Sequence, residues 1–377
     1  MHILIAPNAF KNSLDAGAAA NAIRDGFLKS RLNCSCRCFP VGDGGDGTAA
    51  LLVQQLNGIQ VPVEVSDPFG RKIKTSFGLV DNGQTAVIEM ADAAGLRLLQ
   101  TAELNPLIAS SFGTGEMIIA ALNRGVKKII IGMGGSATVD GGCGILQALG
   151  IRFMNVAGME LKNTPADLIN LACIDTQYLD QRIAGCEIIV LCDVNNSLLG
   201  EKGAAAVFGP QKGATPAVVQ QLDAALSKFA EVAATVIDKN MTDTLRGGTA
   251  GGAAAGLYAF ANAKLVNGID YFLDSTSFNT ALALADLVIT GEGSIDEQTL
   301  NGKAPYGIAS RAKQRGIPVI GMAGSIPSEP VTALSGFFDR LVSINKGTYD
   351  LETALRLTGK NLTLAAMEIG DLMASRR

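Results

Sequence analysis

Short apolar runs recur along the chain, and each is followed by a polar loop and then a helical pattern. The runs read HILIAP, CFPV, AVIEM, KKIII, EIIVL, DLVIT and PVIGM. Strands covered on both faces are continuously apolar, and intervening helices require parallel connections, so the pattern predicts an α/β fold with parallel sheet. Ligands of such sheets bind at the carboxyl ends of the strands, where these polar loops fall.

One segment, residues 61–91, departs from this pattern and reads VPVEVSDPFGRKIKTSFGLVDNGQTAVIEMA. Apolar and polar positions alternate there between turn residues, which predicts antiparallel strands. A closing helix is predicted from about residue 350. Because 377 residues exceed one ordinary core, we expect two domains. Residues 1–60 and 283–377 would form a discontinuous α/β domain, with a mixed α/β domain, residues 61–282, inserted.

Composition narrows the class of protein. The chain is 48% hydrophobic, has no tryptophan, and carries a formal net charge of −4 with both signs dispersed. It therefore lacks the basic surface that nucleic acid or an anionic membrane would require. The N-terminus does not read as a signal peptide, and no stretch is suited to span a membrane. We expect a soluble cytoplasmic protein that binds small molecules.

Seven cysteines, an odd number, argue against a framework of structural disulfides. Cys34, Cys36 and Cys38 alternate, but a zinc site would need further Cys or His ligands, and His2 is the only histidine. We interpret the segment as a strand with small side chains on one face. The same shortage of histidine excludes His-based catalytic triads.

The loop GMGGSATVDGG at residues 132–142 poses the main chemical question. Residues 132–137 fit the dinucleotide pattern G-x-G-x-x-G/A. An NAD site also needs an acidic residue roughly 20 positions further on, and the segment near residue 152, IRFMNVAG, contains no acid before Glu160. The loop also contains polar groups that suit phosphate and Mg²⁺ better than NAD, namely Ser136, Thr138 and Asp140. A phosphate-binding loop is therefore favoured over an NAD site.

A second glycine-rich turn, GDGGDGT at residues 42–48, carries two carboxylates. Glycines allow backbone N–H groups to turn inward and hold an anion. Asp43 and Asp46 would repel phosphate unless Mg²⁺ bridges them to it, or unless one carboxylate accepts a proton from a hydroxyl. A calcium-like turn, or a purely structural turn with aspartate caps, is the alternative.

Four further polar residues occur in loops after apolar runs. Lys212 in GPQKGAT and Lys303 in GEGSIDEQTLNGK lie among glycines, where a lysine can approach a phosphate. Neither segment matches the Walker A pattern, which excludes a P-loop NTPase. Asp193 and Asn195 directly follow EIIVL, at a strand end where active-site carboxylates occur, although an Asx turn would also explain them.

Two segments contain candidate binding groups for a substrate carboxylate. Ser13, after the first strand, is predicted to cap the following helix. Lys11 and the same helix N-terminus suit a carboxylate or phosphate. Arg71 in DPFGRK is a candidate bidentate partner for a carboxylate.

In the same order, these motifs resemble those of the type I glycerate kinase family over essentially the full length. Segments that match without change are FGPQKGA at 208–214 and GEGSIDEQTLNGK at 291–303, together with the spacing of Pro7, Lys11, Ser13 and Leu14. Segments with one replacement each, at Asp46, Val139 and Ser197, are DGGDGT at 43–48, GGSATVDGG at 134–142 and CDVNNSLLG at 192–200. In SFGTGE, Phe112 replaces an arginine, whose role would pass to another residue such as Arg71.

The resemblance implies an ATP-dependent kinase that phosphorylates D-glycerate, usually to 2-phosphoglycerate, with ATP and Mg²⁺ as cofactors. It also implies a flavodoxin-like or Rossmann-like domain with a parallel sheet, joined to a mixed α/β domain, with the active site in the cleft. Glycerate and ATP are then the expected partners. The oligomeric state stays open, with a homodimer as one candidate, and so does the choice between 2- and 3-phosphoglycerate.

On this basis each candidate residue receives a hypothetical role. Asp193 would accept the proton of the glycerate hydroxyl or bind Mg²⁺, and Lys11 and Asp46 join it as catalytic residues. The residues expected to bind substrate are Ser13, Arg71, Asp43, Thr114 and Asn195. Those expected to bind ATP are Gly134, Gly135, Ser136, Thr138, Asp140, Lys212, Gly291, Glu292 and Lys303. The expected metal ligands are Asp193 and Asp296.

Two other functions are weighed against this one. An NAD-dependent 2-hydroxy-acid dehydrogenase would explain the dinucleotide-like pattern, but it lacks the ribose-binding acid and the usual catalytic histidine. A non-enzymatic, two-lobed binding protein would also place glycine and aspartate loops around a ligand. It gives little reason to gather several carboxylates.

Overall fold

A computed structural model of the protein describes residues 1–161, 165–329, 331–347 and 350–375. The strands are β1 His2–Pro7, β2 Ser35–Cys38, β3 Ile59–Ser66, β4 Lys72–Val80, β5 Thr85–Glu89, β6 Lys128–Gly132, β7 Arg152–Met154, β8 Cys173–Asp175, β9 Glu187–Cys192, β10 Lys264–Asn267, β11 Leu287–Ser294, β12 Val319–Ser325 and β13 Arg340–Ser343. The α-helices are α1 Ala16–Lys29, α2 Thr48–Gln55, α3 Ala91–Ala94, α4 Phe112–Asn123, α5 Cys143–Ala148, α6 Ala204–Phe208, α7 Pro216–Ala233, α8 Ala253–Phe260, α9 Gly268–Ser275, α10 Phe278–Leu282, α11 Ala304–Gln314, α12 Thr332–Ser335 and α13 Leu351–Ser375.

The chain forms two compact units, and the first contains residues 1–43 and the described residues from 269 onward. Its sheet has the order β13-β12-β11-β1-β2 with every neighbouring pair parallel. Counted along this unit, the order is 2-1-3-4-5, which is that of flavodoxin-like folds. The predicted flavodoxin-like parallel sheet is therefore confirmed.

Two long helices cover this sheet and bury its apolar side chains. Ile23 and Phe27 of α1 and Leu362 and Ile369 of α13 belong to one cluster with the strands. The two helices approach closely because Gly26 has no side chain; a Cβ there would lie 2.3 Å from the carbonyl oxygen of Thr363. The closing helix predicted from about residue 350 is thus confirmed as a packed element of the first unit.

The second unit contains residues 44–268. Its main sheet has the order β10-β9-β6-β5-β4-β3, and β7 pairs with β8 in a separate two-stranded antiparallel sheet. The pairs β3–β4 and β4–β5 are antiparallel, whereas β5, β6, β9 and β10 run parallel. The antiparallel prediction for residues 61–91 is therefore confirmed, and the sheet is mixed as expected.

The chain passes between the units at 43/44 and again at 268/269. The sequence-based domain boundaries, at 60/61 and 282/283, lie 17 and 14 residues later (60 − 43 and 282 − 268). The helix α2 therefore belongs to the second unit, where it packs on β5 and β4. As boundaries of independently folding domains, residues 1–60 with 283–377 and residues 61–282 stay a prediction.

The cap of α1 differs from the sequence-based prediction. Asp15, not Ser13, is the N-cap, and its carboxylate accepts the N–H of Ala18 at 2.7 Å. The Ser13 hydroxyl instead donates to the carbonyl oxygen of Leu355 at 2.6 Å. Ser13 thereby connects the β1–α1 turn to α13, a contact that sequence spacing could not indicate.

All seven cysteine thiols are free in the part of the chain that the structure describes. Cys36 and Cys38 lie on β2, as the strand interpretation requires. Burial raises the pKa of the Cys36 thiol to about 12. Within the described ranges, no helix is long and apolar enough to cross a membrane.

Candidate active site

Three parallel strands of the second unit end side by side. The register places Glu89 of β5 opposite Gly132 of β6, and Gly132 opposite Leu191 of β9. Asp193 follows β9 by one residue, and the glycine loop follows β6 directly. The structure therefore brings together the β5 end, the glycine loop and Asp193 at one edge of the sheet, where ligands of parallel sheets bind.

The turn at residues 44–48 packs on this edge through backbone contacts. The carbonyl oxygen of Gly44 accepts the N–H groups of Met133, at 3.1 Å, and Gly134, at 2.9 Å. A Cβ at Gly44 would lie 2.8 Å from the carbonyl oxygen of Leu191. A Cβ at Gly134 would lie 2.4 Å from the Cα of Gly45. Two of the predicted glycine-rich motifs thus form one layer over β6 and β9.

Replacing Gly134 with alanine is expected to push these two loops apart. The added methyl group would overlap the backbone of Gly45, so we expect a destabilisation of about 1–3 kcal/mol and reduced activity. Thermal unfolding and a kinase assay would measure both effects. Gly185→Ala is the matched control, because a Cβ at Gly185 meets nothing within 4 Å. Equal midpoints for both variants would contradict the close packing.

Asp140, predicted to bind ATP, is a buried carboxylate that accepts several hydrogen bonds from the protein. Its oxygens accept hydrogen bonds at 2.6–3.2 Å from the Ser111 hydroxyl and from the N–H groups of Ser111, Gly142 and Gly144. It is 1% exposed. These donors saturate the carboxylate and attach the start of α5 to the segment before α4. Its ordered contacts therefore favour a role in holding the loop rather than in binding a ligand.

The backbone of the glycine loop is also largely engaged. The N–H groups of Gly134, Ala137 and Gly141 donate to the carbonyl oxygens of Gly44, Ala94 and Gly251. Gly135 has a left-handed φ of 72°, and its carbonyl oxygen accepts the N–H of Leu96 at 2.8 Å. The N–H of Gly134 is therefore committed to the protein, which narrows the part of the loop that can contact a phosphate.

Lys212 is buried against the glycine loop. Its Nζ donates to the Ser136 hydroxyl at 2.9 Å and to the carbonyl oxygen of Thr138 at 2.6 Å, and the residue is 2% exposed. Burial lowers the pKa of Lys212 to about 7, although the nearby Asp140 charge opposes the shift. These contacts hold the glycine loop from inside the protein, whereas Lys212 was predicted to bind phosphate.

Two threonines predicted to bind ligand are buried with unused hydroxyls. Thr138 Oγ1 and Thr114 Oγ1 have no hydrogen-bond partner among the residues the structure describes, and both threonines are 0% exposed. Thr114 lies in the first turn of α4. An unpaired buried hydroxyl is costly, so each of the two is a candidate for contact with a ligand. Thr138 is the better candidate for contact with a phosphate, because it lies on the glycine loop.

The segment after β9 presents the predicted carboxylate and amide. Asp193 is half-buried and Asn195 is exposed. The Asp193 charge and the burial of Cys192 both raise the pKa of that thiol, to about 12, and burial is the larger cause. Arg246 opposes the shift, which places its charge near the same strand end.

Arg246 belongs to a loop that sequence reasoning missed, RGGTAGG at residues 246–252. Arg246 and Ala250 have left-handed φ values of 70° and 54°, which non-glycine residues rarely adopt. The N–H of Gly248 donates to the carbonyl oxygen of Asn196 at 3.0 Å, and Gly251 accepts from Gly141. Strained backbone of this kind clusters at functional sites, and the two glycine pairs were the available sequence signal.

Two charged candidates on the second unit already contact other charges. Asp46 is exposed, and its carboxylate lies 3.8 Å from the guanidinium of Arg97. Arg71 pairs with Asp67 and, at 2.7 Å, with Glu103. The Arg71 guanidinium is therefore held in an internal network on the surface of this unit, which weakens the case that it binds a substrate carboxylate.

The first unit has its own group of candidate residues at the switch point between β1 and β11. Asn8, which sequence reasoning missed, follows β1 and donates its side-chain amide to Asp43 at 2.9 Å. Its N–H donates to the carbonyl oxygen of Gly291 at 2.9 Å. Asp43 and Glu292 are buried, at 7% and 9% exposure. The structure thus brings Asp43 and Gly291 together through Asn8.

The remaining candidates of the first unit lie in loops after β1 and β11. Lys11 is exposed, and Lys303 is half-buried at the start of α11. The carboxylate of Asp296 accepts the N–H of Gln298 at 2.9 Å and caps a short 3₁₀ helix. These residues occupy loop positions at which a ligand is normally bound in this sheet topology.

The two predicted metal ligands belong to different units, Asp193 to the second and Asp296 to the first. Across the described ranges, no group of three or more His, Cys, Asp or Glu side chains is arranged to hold a metal ion. Nucleotide-bound Mg²⁺ usually takes one or two carboxylates together with phosphate oxygens and water, and a half-buried carboxylate such as Asp193 fits that donor set.

The fold and these sites define an α/β enzyme whose glycine-rich loops and carboxylates lie at strand ends. Comparison with known proteins makes the class specific. The model of the glycerate kinase family matches residues 3–374, and the chain belongs to that family. It is a kinase, and membership supports phosphorylation of glycerate as its activity.

Several relatives match over nearly their full length. A glycerate kinase of Bacillus subtilis (strain 168) is 44% identical over 369 residues, which cover 98% of this chain and 97% of the relative. A glycerate 2-kinase of Escherichia coli (strain K12) is 40% identical over 374 residues, with coverage of 99% and 98%. A crystal structure named for glycerate kinase 2 of Salmonella typhimurium LT2 is 42% identical, with a TM-score of 0.82 and coverage of 100% and 99%. These findings support the kinase and neither alternative function.

Proposed function

We propose that the protein transfers the γ-phosphoryl group of ATP to D-glycerate and produces 2-phosphoglycerate. The observation that carries this proposal is the layer formed by the 44–48 turn and the glycine loop over the ends of β6 and β9. It joins a loop of the phosphate-binding type, a buried lysine and the Asp193 carboxylate at one sheet edge. Phosphoryl transfer depends on positioning and charge neutralisation more than on covalent chemistry, and these groups suit both tasks.

On the second unit, we assign Asp193 to the acceptor hydroxyl. A carboxylate at a strand end can accept the hydroxyl proton as the oxygen attacks phosphorus, or it can bind Mg²⁺. Asp46, exposed on the 44–48 turn, is also assigned to the acceptor hydroxyl. Asn195 is assigned to substrate binding. Lys212 acts by holding Ser136 and Thr138, so that the Thr138 hydroxyl and the outer part of the loop contact phosphate.

On the first unit, the candidates receive roles that match their chemistry. Asp43, held by Asn8, and Ser13 are assigned to the hydroxyl groups of glycerate. Lys11 and Lys303 supply positive charge for its carboxylate or for phosphate. Gly291 and Glu292, next to Asn8 at the switch point, are assigned to the nucleotide.

Mg²⁺ is proposed to enter with the nucleotide. When bound, it would neutralise the negative charge on the phosphate oxygens. Asp193 on the second unit and Asp296 on the first are each proposed as a candidate protein ligand. This proposal does not require a metal ion held by protein ligands alone, because nucleotide-bound Mg²⁺ is also held by phosphate oxygens and water.

Phosphorus NMR of a reaction containing D-glycerate, ATP and Mg²⁺ tests the proposed function. We expect 2-phosphoglycerate to appear as ADP forms. Formation of 3-phosphoglycerate would overturn the proposed position of transfer, and the absence of any phosphoglycerate would overturn the activity. Thermal shift with MgATP, glycerate and NADH, each alone, provides a separate test, because a ligand that binds the folded state raises the midpoint. A shift with NADH alone would favour the dehydrogenase.

A further inference from the structure

Glu89 is a buried glutamate to which the proposed reaction assigns no role. It is the last residue of β5, opposite Gly132 in the sheet, and it is 3% exposed. Its carboxyl group lies directly against Gly132, since a Cβ at that position would be 3.0 Å from Glu89 Oε1. The acidic group therefore occupies space at the sheet edge on which the 44–48 turn packs.

The carboxyl group of Glu89 has an asymmetric set of partners. Oε2 accepts the N–H of Ala49 at 2.9 Å. Oε1 has no hydrogen-bond partner among the described residues. A carboxylate buried with so little compensation favours its neutral form. Burial accordingly raises the pKa of Glu89 to about 8, and the Asp46 charge adds to the shift. The N–H groups of Ala49 and Gly47 and the charge of Arg97 oppose it.

The bond from Glu89 to Ala49 fixes the end of the 44–48 turn. Gly47 adopts a left-handed φ of 88° as the N-cap of α2, and Ala49 lies in the first turn of that helix. At the other end of the turn, the Gly44 N–H donates to the Thr48 hydroxyl at 3.0 Å. Asp46 projects from the middle of the turn into solvent. Its position therefore depends on how firmly the turn is anchored at Gly44 and Ala49.

We propose that Glu89 is a positioning residue which, as a neutral carboxyl group, anchors the 44–48 turn and thereby places Asp46 for phosphoryl transfer. The proposal rests on the proposed function for its catalytic consequence. Neutrality matters because an ionised Glu89 would add a second negative charge beneath Asp46, and like charges repel. Arg97 is the cation facing this pair, and it already contacts Asp92, which limits how far it can offset the added charge.

Glu89→Gln is the main test, because glutamine keeps an oxygen that can accept the Ala49 N–H but cannot ionise. We expect the kcat of this variant to be close to that of the wild type at pH 7. In the wild type, kcat should fall above about pH 8, as Glu89 ionises, and should level off once Glu89 is fully charged. Glu89→Gln should lack this decline. If the variant shows the same alkaline decline as the wild type, another group causes it and the proposal fails.

Glu89→Ala removes the acceptor and should lower kcat roughly tenfold by loosening the turn, with little change in the KM for glycerate. Glu64→Gln, on an exposed position of β3, is the control and should behave as the wild type. Unchanged kcat in Glu89→Ala at pH 7 would also overturn the proposal.

Hydrogen exchange provides a readout that does not depend on activity. The amide of Ala49 should be protected in the wild type and in Glu89→Gln, and should exchange at least tenfold faster in Glu89→Ala. If the wild type forms no phosphoglycerate, the proposed function fails, yet this exchange difference still decides whether Glu89 anchors the turn. Equal exchange in all three proteins would exclude the anchoring role.

Thermal unfolding gives a second independent readout, with a defined sign. A carboxyl whose pKa rises from 4.5 to about 8 on folding makes the folded state bind more protons than the unfolded state between these values. The wild type should therefore lose stability as pH increases from about 4.5 to 8, whereas Glu89→Gln should lack this contribution. Parallel curves of midpoint against pH for the two proteins would contradict the buried, neutral state.

Discussion

Replacing Asp193 with asparagine is expected to lower kcat roughly 10²-fold or more, because an amide cannot accept the proton of the attacking hydroxyl. Asp193 follows the buried strand β9 by one residue and is half-buried beside the glycine loop layer. Asparagine is nearly the same size, so packing should be preserved. Steady-state kinetics with D-glycerate and MgATP would measure the loss, and a change mainly in the Mg²⁺ concentration required for activity would instead assign Asp193 as a metal ligand.

The control for this variant is Asp238→Asn, which changes an exposed carboxylate after α7. Both variants should unfold at similar temperatures, because neither substitution creates a cavity. A near-wild-type kcat in Asp193→Asn together with an unchanged Mg²⁺ requirement would remove Asp193 from both roles. Asp46 would then be the remaining carboxylate assigned to the acceptor hydroxyl.

The parts of the fold that follow local rules could be predicted from the sequence. The apolar run EIIVL predicts β9, because a strand that is buried on both faces is continuously apolar. The end of this run places Asp193 at a sheet edge. The alternation in residues 61–91 likewise predicts the antiparallel strands β3 to β5. Glycine-rich motifs could be located because positive φ values and close backbone contacts at Gly44 and Gly135 favour glycine.

The partners of individual polar groups could not be predicted, because they come from distant parts of the chain. Asp140 appears available in the sequence, but Ser111, 29 positions earlier, supplies donors that saturate it. Lys212 resembles a surface lysine, but its Nζ bonds to Ser136, 76 positions away. The burial of Glu89 could not be predicted either, because a single acid at the end of an apolar strand does not indicate what covers it.

Replacing Lys212 with methionine is expected to lower kcat/KM roughly 10²-fold while leaving the protein folded. Methionine fills similar space but cannot donate to Ser136 or Thr138, so the glycine loop would lose its internal anchor. Displacements of about 1 Å in positioning groups can cost this much in rate. Lys202→Met, at an exposed lysine, is the matched control. Wild-type kcat/KM in Lys212→Met would show that the loop keeps its position without the lysine.

The pH dependence of the stability of Lys212→Met tests the burial of Lys212 separately from its effect on catalysis. Because burial lowers the pKa of Lys212 from 10.5 to about 7, the folded state binds fewer protons than the unfolded state between these values. The wild type should therefore gain stability as pH rises from about 7 to 10.5, and Lys212→Met should lack that gain. At pH 7 the variant should unfold at a somewhat lower temperature than the wild type, because the substitution removes the donor to the Ser136 hydroxyl and the Thr138 carbonyl oxygen. Parallel curves of unfolding midpoint against pH for the wild type and Lys212→Met would contradict the burial of this lysine.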